Sequence, residues 1–81
     1  MDRAGRPPAE VIAEALTAHL GPSTARTAVR TFSTRALGLA PEQISLEDAP
    51  KLLEALRPML RTLLGPDPAD DLLTGLRGHL G

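Results

Sequence analysis

Apolar residues return at three- and four-residue steps in every stretch between this chain's glycine and proline breaks, and in no segment do they alternate with period two. That spacing puts side chains on one face of an α-helix, whereas a half-buried strand needs strict alternation, so the chain is expected to be all-α. The breaks predict a small bundle of four main helices, about 8–20, 23–37, 48–64 and 68–79, with a short helical turn near 41–44. Residues 1–7 are expected to form a flexible N-terminus and residues 8–81 a single helical domain. At 81 residues the chain is near the size at which folding alone is marginal, which makes dimerisation an expectation from the outset.

The helix ends follow from local chemistry. Pro7 and Pro8 open the first helix, where a missing N–H costs nothing, and Gly21-Pro22 closes it. Its apolar side carries Val11, Ile12, Ala15, Leu16 and Leu20, with His19 projecting among them. Ser23 or Thr24 is expected to cap the second helix, whose narrow stripe of Ala25, Ala28, Val29, Phe32 and Ala36 stops at Gly38. Alanine fills little space, so a neighbouring helix must approach closely, with Phe32 as the one large plug. Ser45 with Asp48 three residues on resembles a capping box, and Pro50 places the stable start of the third helix near Asp48. Pro58 falls mid-helix on the polar side, where water can satisfy the carbonyl of Glu54, so a kink is expected rather than a break. Asp67-Pro68 reads as the cap and first residue of the fourth helix, with Asp70 and Asp71 at the positive end of its dipole. Gly75 and Gly78 weaken that helix and make it depend on docking.

Composition narrows the function. The chain has no cysteine, which excludes a disulfide scaffold, thiolate catalysis and a cysteine-type zinc site. No apolar run approaches the roughly 20 residues of a membrane span, and Met1 to Pro8 lacks the apolar segment of a signal peptide. A soluble cytoplasmic protein without membrane contact is the expectation. His19 and His79 are the only histidines, and neither lies in a catalytic motif or at metal-ligand spacing. Asp67, Asp70 and Asp71 lack the glycine-bracketed loop and closing glutamate of an EF-hand. No catalytic residue, cofactor or metal is therefore expected, and the protein reads as non-enzymatic. The Asp-Ser-Leu that marks an acyl carrier protein of similar length is missing, the serines standing as Pro22-Ser23-Thr24, Phe32-Ser33-Thr34 and Ile44-Ser45-Leu46.

Charge is segregated although it nearly cancels to −1. Ser23–Gly38 holds Arg26, Arg30 and Arg35 and no acid, whereas Pro41–Leu56 holds Glu42, Glu47, Asp48 and Glu54 against Lys51. The two sides are expected to pair across the second and third helices or between chains. The third helix carries Leu52, Leu53, Leu56, Met59, Leu60, Leu63 and Leu64 on one wide arc, and some of that leucine is expected to remain uncovered. The expectation is a protein–protein interaction or dimerisation domain, a docking or assembly module of a signalling or regulatory system, forming a homodimer or binding a partner. Leu53, Leu60 and Leu64 would be rim anchors, joined by Leu73 and by Arg26, Arg30 and Arg35. The alternative is a small nucleic-acid-binding domain. The first helix, Gly21 and the arginine-bearing second helix resemble a DNA-binding helix-turn-helix, which would set Ser23, Arg26, Thr27 and Arg30 against a groove. The apolar positions that lock such a motif, roughly six and nine after its glycine, fall here on Thr27 and Arg30. Net charge and the lone aromatic, Phe32, also disfavour phosphate attraction and base stacking.

Overall fold

The computed structural model describes residues 7–80, and every regular element among them is helical. Helix α1 is Pro8–Leu20, α2 is Pro22–Phe32, α3 is Ala49–Leu64 and α4 is Pro66–Leu80. A π-helical turn, Ser33–Leu37, extends α2, and a 3₁₀ turn, Pro41–Gln43, stands before α3. Apart from Pro7, the expected N-terminal segment lies outside the described residues. No described helix is long and apolar enough to cross a membrane.

Two single glycines make the sharpest corners. Gly21 (φ +87°, ψ 158°) joins α1 to α2, and Gly65 (φ +94°, ψ 159°) joins α3 to α4. This backbone region is essentially reserved for glycine, because a Cβ would clash with the chain's own backbone. Each glycine closes one helix with its N–H, to Thr17 and Arg61, and opens the next with its carbonyl, to Ala25 and Ala69. Gly21 thus caps α2, a place expected for Ser23 or Thr24. Gly65 likewise precedes α4, which begins at Pro66, two residues before the expected start at Pro68. Both prolines fit because the first-turn N–H groups of a helix have no internal acceptor.

Ahead of α3 the expected capping box forms. Ser45 donates its N–H and hydroxyl to Asp48 Oδ2 at 3.2 and 3.0 Å, and the Asp48 N–H donates to Ser45 Oγ at 3.3 Å. The helix then continues through Pro58, which is exposed. The end of α2 departs from expectation. A π turn holds more residues than an α turn, so the buried stripe shifts after Phe32 and Ala36 comes out exposed, with Ser33 buried and Leu37 half-buried instead. Gly38 closes this turn in the left-handed region at φ +67°.

Ile12 and Leu16 of α1, Ala25, Ala28 and Val29 of α2, and Leu52, Leu53, Leu56 and Leu60 of α3 share one core with Ala69, Leu73 and Leu76 of α4. Ile44 is also buried there, from a stretch without helical periodicity. Three expectations are corrected. His19 is exposed, because the buried seam of α1 follows Ala9, Ile12 and Leu16 and leaves the flank of Val11 and Ala15 only half-covered. Phe32 packs against the core but is only half-buried. Leu53, Leu60 and Leu73 are not at a rim: they are 2, 0 and 4% exposed, because three other helices close over the apolar arc of α3 that carries Leu53 and Leu60, and Leu73 of α4 packs into the same core.

The two corners belong to a wider correspondence. Placing Leu64-Gly65-Pro66 on Leu20-Gly21-Pro22 also places Leu56 on Ile12, Leu60 on Leu16, Ala69 on Ala25 and Leu73 on Val29, all of them buried. Glu10 and Glu54, Glu14 and Pro58, and His19 and Leu63 are exposed in the same register. The chain is therefore two helical hairpins of one design, closed over a shared interior.

Candidate functional site

The hairpins differ in their charges. In the second, Arg57 Nη1 lies 3.1 Å from Asp70 Oδ1, and Arg61 Nη1 lies 3.1 Å from Asp70 Oδ2. Arg57 Nη2 and Arg77 Nη2 both reach Glu54 Oε2 at 2.9 Å. Three arginines and two acids thus form one chain of contacts from α3 to α4. The hydrogen bond from Arg57, with the charges of Arg57 and Arg77, holds the Glu54 carboxyl below the ordinary glutamate range, although partial desolvation opposes the shift. Glu54 in turn raises the already high pKa of Arg57. Sequence reading assigned Asp70 to the helix dipole alone; its contact with two arginines depends on the α3–α4 crossing, which no local spacing reveals.

In the first hairpin the matching positions are Glu10, Ala13, Thr17, Arg26 and Ser33. Ala13 stands where Arg57 stands and Thr17 where Arg61 stands, while Arg26 replaces Asp70. The Thr17 hydroxyl donates to the carbonyl of Ala13 at 2.7 Å. No ion pair among the described residues involves Arg26, Arg30 or Arg35, and all three are exposed. The expected pairing with acids of the third helix does not form, because Glu54 is already engaged by Arg57 and Arg77.

An open groove of about 760 Å³ occupies this side of the first hairpin. Ala9 and Ala13 of α1 and Val29 of α2 give it an apolar floor, and Ala40 and Pro41 bound it near the 3₁₀ turn. Arg26 and Arg30 line it from α2, one turn apart, while Glu10 and Glu42 contribute carboxylates from α1 and the turn. Small side chains on the floor leave room for a helix or an extended segment to come close to the backbone. The arrangement can bind charge and apolar surface together; it does not bring a base beside a nucleophile.

Of the residues singled out from sequence, the fold brings Arg26 and Arg30 together at this groove and leaves Arg35 outside its lining. Leu53, Leu60 and Leu73 serve the interior, and Leu64 is half-buried. The large hydrophobics left exposed are Leu46 (61%) and Leu63 (54%), separated by nearly the full length of α3. They do not form one patch on that helix. The groove's alanines escaped sequence reading because Ala9 and Ala13 look like ordinary helix formers; the signal that finds them is their register against Leu53 and Arg57. His19 and His79 are both exposed, and no group of three or more His, Asp or Glu among the described residues is placed to hold a metal ion. Compared with known protein families, curated proteins and solved structures, the chain matches none.

Proposed function

We propose that this chain is a non-catalytic protein-interaction domain, a docking or assembly module of a signalling or regulatory system, and that its partner is a different protein bound on the α1–α2 side. One observation carries the reading: Arg26, Arg30 and Arg35 lack ion pairs among the described residues, whereas Arg57, Arg61 and Arg77 all have them. An exposed arginine alone is ordinary, but two beside an apolar groove offer a partner both charge and a surface from which water can be expelled. Partial desolvation strengthens such a pair relative to one at an open surface.

Two other partners are weaker fits. Nucleic acid is favoured by Thr24, Thr27 and Thr34, which flank the arginines and can donate to phosphate, but Glu42 in the same groove opposes a polyanion. A second copy would bring the exposed Asp67 and Asp71 of α4, yet the leucine surplus that argued for a homodimer is largely covered. Affinity capture from the native host separates these cases, using the wild-type chain, R26E/R30E and nuclease-treated extract. A protein retained by the wild type, lost from the variant and indifferent to nuclease supports the reading. Capture that vanishes with nuclease, or that is the same for both chains, contradicts it.

A further inference from the structure

The second hairpin shows what chemistry closes this kind of crossing, and the first lacks one half of it. Asp70 is gripped by Arg57 and Arg61; in the same register Arg26 stands in the place of Asp70, and Ala13 and Thr17, neither of which carries charge, stand in the places of Arg57 and Arg61. No carboxylate among the described residues pairs with Arg26, and the space that one from a partner would enter is the groove over Ala9, Ala13 and Val29.

Resting on the docking function proposed above, we infer that the groove takes an acidic amphipathic helix of a partner protein, whose carboxylates at a four-residue step engage Arg26 and Arg30. The two arginines are themselves four apart on α2, which sets their Cβ atoms about 5–6 Å from each other. A helix repeats its own side chains at that step, so a pair of glutamates matches both guanidinium groups without strain. Its apolar stripe lies on the alanine floor, where the short side chains allow an interaxial distance near the lower end of the usual 8–10 Å. Glu42 at the 3₁₀ turn decides which edge goes where: the acidic edge lies against α2, and charge spread all round, as on a nucleic acid, meets repulsion. This is helix-in-groove recognition with its direction fixed by charge.

Fluorescence anisotropy tests it, with a labelled helical peptide bearing glutamates at a four-residue step beside a leucine stripe, titrated with the full chain. R26E/R30E should weaken binding about tenfold or more, and replacing the peptide's glutamates by glutamine should do the same. Exchanging those glutamates for lysine should transfer the preference to R26E/R30E. Ala13→Trp fills the floor while keeping both arginines, and should also abolish binding; R35E, outside the groove, should leave it intact. Circular dichroism checks that each variant keeps its helix content. Equal binding by R26E/R30E, or equal loss in R35E, overturns the inference. So does displacement of the peptide by duplex oligonucleotide, or sedimentation showing that the chain alone self-associates and R26E/R30E dissociates it. If the peptide fails while host capture still depends on Arg26 and Arg30, the acidic helix is rejected and the docking function stands; if both fail, both are rejected.

Discussion

In the α3–α4 hairpin Arg57 and Arg61 reach across to Asp70, and Glu54 holds Arg57 and Arg77; at the matching positions of the α1–α2 hairpin stand Ala13, Thr17 and Arg26, which form no such pairs, and a groove remains open. The corners are the same, with φ +94° at Gly65 and +87° at Gly21, and Ile12, Leu16, Ala25 and Val29 are buried as Leu56, Leu60, Ala69 and Leu73 are. Apolar spacing and glycine conformation therefore specify the hairpin, while the exposed charges are independent of it. One hairpin uses that independence to tie its two helices together. The other leaves its arginines without ion pairs among the described residues.

The largest test of the shared design is in the core. Ile12 and Leu56 hold equivalent, fully buried places, so Ile12→Ala and Leu56→Ala should each cost about 2–5 kcal/mol, and urea denaturation of either should remain a single transition. A separate transition for one hairpin would break the claim that they share one interior. Next come the corners. Gly21→Ala and Gly65→Ala should each cost about 1–3 kcal/mol, through backbone strain rather than collision, since an added Cβ meets nothing within 4 Å at Gly21 and only Pro68 Cδ at 3.8 Å at Gly65. Free tolerance of alanine at one corner would show that the two turns are not equivalent.

Ser33 marks a smaller difference. Its hydroxyl is buried without a hydrogen-bond partner among the described residues, where the corresponding Arg77 is exposed and paired. Ser33→Ala removes that orphan and should raise stability by about 1 kcal/mol in the same denaturation experiment; a loss would mean that the hydroxyl is satisfied. The smallest effect belongs to Glu54. Because its folded pKa is depressed, its stabilising contribution is present above the unfolded glutamate value and is lost as pH falls through the lower folded value. Thermal midpoints from neutral to acid pH should therefore fall slightly more for the wild type than for E54Q. Parallel profiles would show that this exposed pairing contributes nothing.

How much of this was legible beforehand depends on the range of the interaction. The four helices, the stop at Gly38 and the Ser45–Asp48 box lie within a few residues of their causes, and local spacing finds them. The start of α4 at Pro66 was missed because Asp67 offers a familiar cap, although Gly65 makes the turn. Ala36 was misplaced because the α period does not hold through a π turn, and nothing in Ser33–Leu37 announces one. Leu53 and Leu60 were read as surplus because periodicity gives the width of an apolar arc but not how many neighbours cover it. Arg26 and Arg30 were visible as unmatched charge; the groove beside them needed the register of α1 against α2.

The division of charge between the hairpins is tested most directly by side-chain NMR of the arginine Nε–Hε groups at neutral pH. Arg57, Arg61 and Arg77 should show restricted guanidinium rotation and slowed proton exchange that E54Q and D70N relax, whereas Arg26, Arg30 and Arg35 should behave as freely hydrated side chains. Uniform signals from all six, or protection of Arg26 and Arg30 in the isolated chain, would contradict it.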